Sequence, residues 1–183
     1  MKLTPNTRRG SQRGFTLVEL FTCLGISAAL LSQALPNLGK LRQERALRAA
    51  AEALASDLRF ARSEAARMGE SVQFRISRKG AASCYVLHTG ARNDCDCEGG
   101  QAVCKAPGSN IIKAEWLPAN QPMRLSSTAE NLQFQHRQGL VTQTGSIEIK
   151  LHSGTGIRQV VALTGRVRAC STGTKLPGMN LCS

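Results

Sequence analysis

At 183 residues with 42 % hydrophobic content, the chain has the length and apolar share of one modest folded domain, which excludes global disorder and low-complexity sequence. Twenty-four Lys and Arg against twelve Asp and Glu give a net charge of +12 and a pI of about 10.1, favouring polyanionic or anionic-membrane partners over a neutral scaffold. Five Phe, one Tyr and one Trp are too few for an aromatic platform that stacks single-stranded bases, and seven cysteines indicate an oxidising compartment if they pair.

Residues 1–14 carry Lys2, Arg8, Arg9 and Arg13 and no acid. Residues 15–35, Phe15 to Leu35, form an apolar run whose one formal charge is Glu19. As a helix rising about 1.5 Å per residue, such a run reaches across roughly 30 Å of hydrocarbon, and its basic flank sets that end in the cytoplasm. A secretory signal would place a small-residue cleavage site after the apolar run; here Gly14 precedes it, so processing there removes the charged leader and keeps the helix. A plain N-terminal anchor is the alternative. Glu19 argues against it, because a carboxylate at the centre of a membrane helix costs roughly 2.5–3.5 kcal/mol and needs a partner or a use. Cleavage after Gly14 would put a new ammonium on Phe15, four residues from Glu19, able to pair within one chain or between neighbours.

Arg13-Gly14-Phe15-Thr16-Leu17-Val18-Glu19 resembles the class III leader junction of type IV pilins and type II secretion pseudopilins. The resemblance implies a prepilin peptidase that cuts after Gly14 and methylates Phe15, a role for Glu19 in filament assembly, and a helix-kinking Pro36. The mature chain, Phe15 to Ser183, then holds 20 basic and 12 acidic groups, a net +8.

Residues 36–69 are expected to continue the helix outside the membrane. The stretch after Pro36 is rich in Ala, Leu, Arg and Glu, and Leu47, Ala51, Leu54, Leu58, Ala61 and Ala65 recur at helical period, with Gly69 as the stop. The arginines on the other faces read as a solvated surface. Residues 70–183 alternate instead: strands are expected at 71–77, 84–88, 111–116, 131–135, 146–151 and 158–163, with a long irregular loop from Ala91 to Gly108. One long helix followed by six short strands predicts an α+β fold, an antiparallel sheet with one face covered by the helix stripe. The pattern of Phe134, Gly139, Gly145-Ser146-Ile147-Glu148-Ile149 and Val160 to Arg168 is similar to the FimT, FimU and GspH group of minor pilins and pseudopilins.

No nucleotide-binding or hydrolase motif occurs, and His88, His136 and His152 are isolated in sequence, so neither catalysis nor a cofactor is expected. Cys23 lies in the apolar run. The other six, Cys84, Cys95, Cys97, Cys104, Cys170 and Cys182, admit 15 pairings, of which Cys170 with Cys182 is favoured by proximity. Cys95-Asp96-Cys97 with Cys104 resembles the start of a metal site, but no fourth ligand stands at a zinc spacing, and no metal is expected.

The strongest candidate site is Gly165-Arg166-Val167-Arg168. In an extended segment its two arginines stand on one face, roughly 6.6–6.8 Å apart along the backbone, and their outward guanidinium forks suit phosphate oxygens, with Gly165 leaving the approach open. Arg158 and Lys175, with Arg124 or Arg137, would widen the patch; from Arg124 onward seven basic residues face two acidic ones. The GRxR pattern is similar to that of FimT-type DNA-binding minor pilins, which implies salt-dependent, sequence-independent binding of double-stranded DNA in natural transformation. The expected partners are this duplex, other major and minor pilins, the prepilin peptidase and, before assembly into an extracellular pilus, the bacterial inner membrane. The rival readings are a structural minor pilin that primes pilus assembly and a GspH-like pseudopilin of type II secretion.

Overall fold

The computed structural model describes residues 14–79, 82–97, 100–117 and 122–182, with backbone alone described at 33–37 and 79. The basic leader lies outside the described residues. The chain divides into two compact units, the second being Arg42–Ser183.

Helix α1 is Leu17–Met68. Thr16 caps it: its hydroxyl oxygen accepts the Glu19 N–H at 3.2 Å, and Thr16-x-x-Glu19 is the residue pattern of a capping box, with Glu19 in the first turn. In the first unit Phe15, Leu17, Leu24 and Leu30 are each more than half exposed. Among the described residues no helix is long and apolar enough to cross a membrane. The apolar run to Leu35 lies within α1, and at residues 33–37, Pro36 among them, the backbone alone is described.

Within Arg42–Ser183 the expected stripe is buried: Leu47, Leu54, Leu58, Ala61 and Ala65 are fully enclosed and Ala51 nearly so. Met68 ends the helix and Gly69 takes a left-handed backbone, φ 70°, that a residue with a Cβ adopts only at a cost.

Ten strands follow. They are β1 (Val72–Lys79), β2 (Ala82–His88), β3 (Cys95–Asp96), β4 (Val103–Cys104), β5 (Ile111–Leu117), β6 (Met123–Ser127), β7 (Asn131–Phe134), β8 (Gly145–Leu151), β9 (Gly156–Val161) and β10 (Val167–Thr172). They form not one sheet but two four-stranded antiparallel sheets, ordered β5-β2-β1-β7 and β10-β9-β8-β6, with β3 and β4 as a separate hairpin. The α+β class holds; the single sheet does not. Strand β6 alternates over too few residues to signal itself, and β10 carries one large apolar residue, Val167, so neither shows a strand period. The strand expected to reach Leu163 ends at Val161, because Ala162 N–H donates to the Arg166 carbonyl and Gly165 N–H to the Ala162 carbonyl, turning the chain into β10.

Both sheets bury one face against the helix. Phe74, Leu87, Leu132 and Phe134 from the first sheet and Ile147, Ile149, Ile157 and Val161 from the second join the helix stripe in one core. Every buried residue of the described chain lies in Arg42–Ser183, so a fragment of those residues keeps its whole core.

The expected loop from Ala91 to Gly108 contains the β3–β4 hairpin, which lies over the outer face of the first sheet. Cys84 bonds to Cys97 and Cys95 to Cys104, and Cys84, Val86 and Cys97 form a second small core there. Ser77 and Arg75 of β1 hold Asp96 at 2.6 and 3.2 Å. Cys170 bonds to Cys182, the pair favoured by proximity, closing the C-terminal tail onto β10, where Ser171 and Leu181 form a parallel bridge. Cys23 is unpaired and exposed. For a loop of this length a bridge contributes typically 2–4 kcal/mol. Replacing Cys170 and Cys182 together by Ser is therefore expected to lower the stability of Arg42–Ser183 by about 2 kcal/mol in urea unfolding, at the low end because the freed tail is terminal. An unchanged midpoint would show that the tail is held by its backbone bonds alone.

Candidate nucleic-acid interface

Arg166 stands just before β10 and Arg168 within it; both side chains are exposed, while Val167 between them packs against the core. Neither arginine has an ion-pair partner among the described residues. The register of the second sheet fixes what shares its outer face. Arg168 is opposite Val160, Cys170 opposite Arg158, Glu148 opposite Arg158 and Ser126, and Lys150 opposite Arg124.

Arg158 does not contribute a free charge to this face. Its guanidinium donates to Glu148 at 2.9 Å, and Thr172 donates to the other Glu148 oxygen at 2.6 Å. Burial by itself would raise the Glu148 pKa, but the bonds from Thr172 and Arg158 outweigh it and hold the carboxyl below its ordinary value, so the pair stays ionised at neutral pH. Lys150, which sequence pattern alone did not single out, is exposed on the same face and directly opposite Arg124. Like charges across a ladder repel, a cost that a bound anion removes. At about 4.8 Å between strands and 3.4 Å per residue, Arg124 is some 20 Å from Arg168, at the far corner of the face. Lys175 is exposed on the disulfide-closed tail, whose Leu176 is buried and whose Pro177 carbonyl accepts from Arg48 at 2.8 Å.

Gly165 has a structural task that spacing alone did not reveal. Its φ is +73°, and a Cβ there would lie 2.5 Å from the Gly139 carbonyl oxygen and 3.1 Å from Cδ and Nε of Arg62. Its lack of a side chain lets two turns close on each other beneath a helix arginine. Arg62, Arg59 and Arg137 line an open groove of about 490 Å³ with His136, Gly139 and Gly165. Arg137 thus belongs with Gly165, on the groove side, and not with Arg124.

The remaining chemistry is structural. All four cysteines from Cys84 to Cys104 are in disulfides, so the thiol pattern at Cys95-Asp96-Cys97 offers no free thiolates. Among the described residues no group of three or more His, Cys, Asp or Glu is placed to hold a metal ion. His88 is buried, its Nδ1 within 3.0 Å of the Thr89 carbonyl, and burial lowers its pKa, favouring the neutral ring.

Residues 50–165 match the family described as Type II transport protein GspH. No curated protein matches the chain. Among solved structures, the type IV minor pilin FimU of Pseudomonas aeruginosa is similar at 18 % identity, covering 68 % of this chain and 88 % of that one with a TM-score of 0.48. The family match starts in the buried stripe of α1, takes in most of both sheets and stops at Gly165, one residue before the outward arginines. On this match across more than half of its length, the chain belongs to the GspH family.

Proposed function

We propose that this chain is a minor pilin of a type IV pilus whose exposed domain binds double-stranded DNA without sequence preference, as a capture step of natural transformation. In this reading prepilin peptidase cleaves between Gly14 and Phe15, the first unit anchors the subunit in the bacterial inner membrane, and Glu19 registers it against other pilins in the extracellular filament. Apolar side chains exposed along the start of α1 support burial in lipid or among other subunits. The three disulfides support an extracytoplasmic domain.

The observation that carries the DNA reading is that Arg166 and Arg168 are adjacent in the fold, exposed and without a carboxylate partner among the described residues. Guanidinium groups so placed donate in pairs to phosphate oxygens, and a chain with only 4 % aromatic residues is poor in side chains on which to stack bases. Arg42–Ser183 is expected to bind unrelated duplexes with an affinity that falls steeply with salt. Replacing Arg166 and Arg168 together by Ala should flatten the plot of log K against log salt by about 1.8, at 0.9 per lost phosphate contact. Equal slopes for the wild type and this variant would remove the two arginines from the interface.

A second reading is favoured by the family description: a pseudopilin of type II secretion, with the arginines at a subunit interface. Absence of duplex binding at low salt, together with loss of exoprotein secretion on deletion, would establish it over the first. Loss of surface pili with secretion intact and no duplex binding would instead indicate a structural minor pilin.

A further inference from the structure

The groove beside Gly165 is built from α1, the turn after β7 and the turn between β9 and β10. Arg59 and Arg62 are three residues apart on α1, which places their Cβ atoms about 5–6 Å from each other on one helix face. Arg137, from the turn after β7, lines the same groove, and no carboxylate lines it. All three arginines are exposed, and none forms an ion pair among the described residues. His136, in the same lining, has a buried Nδ1 with no hydrogen-bond partner. Three cations converging on one concavity repel each other, and an anion lying in the groove reverses that cost. The lining has no Phe, Tyr or Trp, and its guanidinium forks match phosphate geometry, so it suits a sugar–phosphate backbone better than exposed bases.

The glycine of GRxR joins this groove to Arg166. Arg62 lies across Gly139 and Gly165, where a Cβ at Gly139 would be 2.7 Å from its Nε and one at Gly165 3.1 Å. The backbone then passes directly from Gly165 to the exposed Arg166.

We infer that this groove is a second part of the duplex-binding surface, in which Arg59, Arg62 and Arg137 hold backbone phosphates of one strand, and that Gly165 is a positioning residue that seats Arg62 beside Arg166. The inference rests on the DNA-binding reading proposed above. It adds a site on α1, where the arginine pattern otherwise reads as a solvated helix face.

The test uses the full-length chain in neutral detergent and a mixed-sequence duplex of about 20 base pairs, read by fluorescence anisotropy across a salt series. Arg59→Ala, Arg62→Ala and Arg137→Ala are combined in one variant. Arg42→Ala, Arg45→Ala and Arg78→Ala form a control that removes the same charge from exposed positions outside the groove. The groove variant is expected to flatten the salt slope by about 2.7 and to weaken binding at least tenfold at low salt, whereas the control changes the slope by less than about 1. Thermal unfolding of both should match wild type, since all six side chains are exposed and unpaired. Wild-type binding with equal slopes for groove variant and control would overturn the groove while leaving the DNA reading intact. Absence of salt-dependent binding by the wild type would overturn the DNA reading itself, and the groove as a duplex site with it.

Discussion

Replacing Asp57 by Ala is expected to destabilise the unit Arg42–Ser183 by about 3 kcal/mol in urea unfolding at neutral pH. Asp57 projects from the helix and is 5 % exposed. One of its oxygens accepts from the Tyr85 hydroxyl of β2 at 2.7 Å and the other from Lys113 Nζ of β5 at 2.8 Å. One carboxylate thus ties α1 to two neighbouring strands of the first sheet. Its removal leaves the Tyr85 hydroxyl buried without an acceptor. It also removes the main partner of Lys113, which keeps Glu115 at 3.3 Å. The Lys113 side chain is 36 % exposed, so water re-solvates it and the loss falls at the low end of the roughly 3–5 kcal/mol typical of broken buried pairs.

The same triad sets a pH dependence. Burial, then the hydrogen bond to Asp57 and its charge, raise the Tyr85 pKa above 10.0; the hydrogen bond to Asp57 raises that of Lys113 above 10.5, against a smaller opposing effect of burial. Both folded-state values lie above the unfolded ones, so the stability they carry is complete below about pH 10 and is lost as pH rises beyond it. Wild type should therefore weaken in alkali more steeply than Asp57→Ala. A loss below about 1 kcal/mol, or parallel alkaline profiles, would mean that the triad is solvated in solution.

Gly165→Ala should cost about 3 kcal/mol and disturb the arginines on both sides of the turn. A left-handed backbone charges a residue with a Cβ roughly 1–2 kcal/mol. The new methyl group would also meet the Gly139 carbonyl at 2.5 Å, a backbone atom held by its own turn: Gly139 N–H donates to the Gln135 carbonyl at 3.0 Å, and Val141 N–H to the Leu163 carbonyl at 2.9 Å. Relief requires the two turns to separate, adding a further 1–3 kcal/mol typical of overpacking. The measurement is urea unfolding beside Gly178→Ala, whose φ is +75° with nothing within 4 Å of its Cβ, so that it isolates the backbone part. Equal losses in the two variants would show that the turns are not in contact and would remove the argument that Gly165 seats Arg62.

Much of this architecture is legible in the chain read residue by residue. The buried face of α1 follows from six apolar residues at helical period, and its end from Gly69. The strands β1, β5, β7 and β8 follow from alternation that shows within a few residues, and β2 from a short apolar run buried on both faces. Less visible were β6 and β10, because a short edge strand with polar or small residues carries no period; the outward arginine of β10 was legible only as part of a motif. The free charge expected of Arg158 was lost to Glu148, ten residues earlier in sequence and directly opposite in the ladder. No local pattern marks the groove, because Arg59 and Arg62 on α1 meet Arg137 from the turn after β7 only in the fold.

Contiguous residues encode the helix, its buried face and stop, and the strand-rich remainder, each through propensity or period. Tertiary structure alone decided the split into two sheets, which of 15 cysteine pairings forms, which arginines are neutralised and what Gly165 is for. Those outcomes depend on where loops bring residues far apart in the chain, and the energies that select them come from packing and pairing across strands that no local window contains.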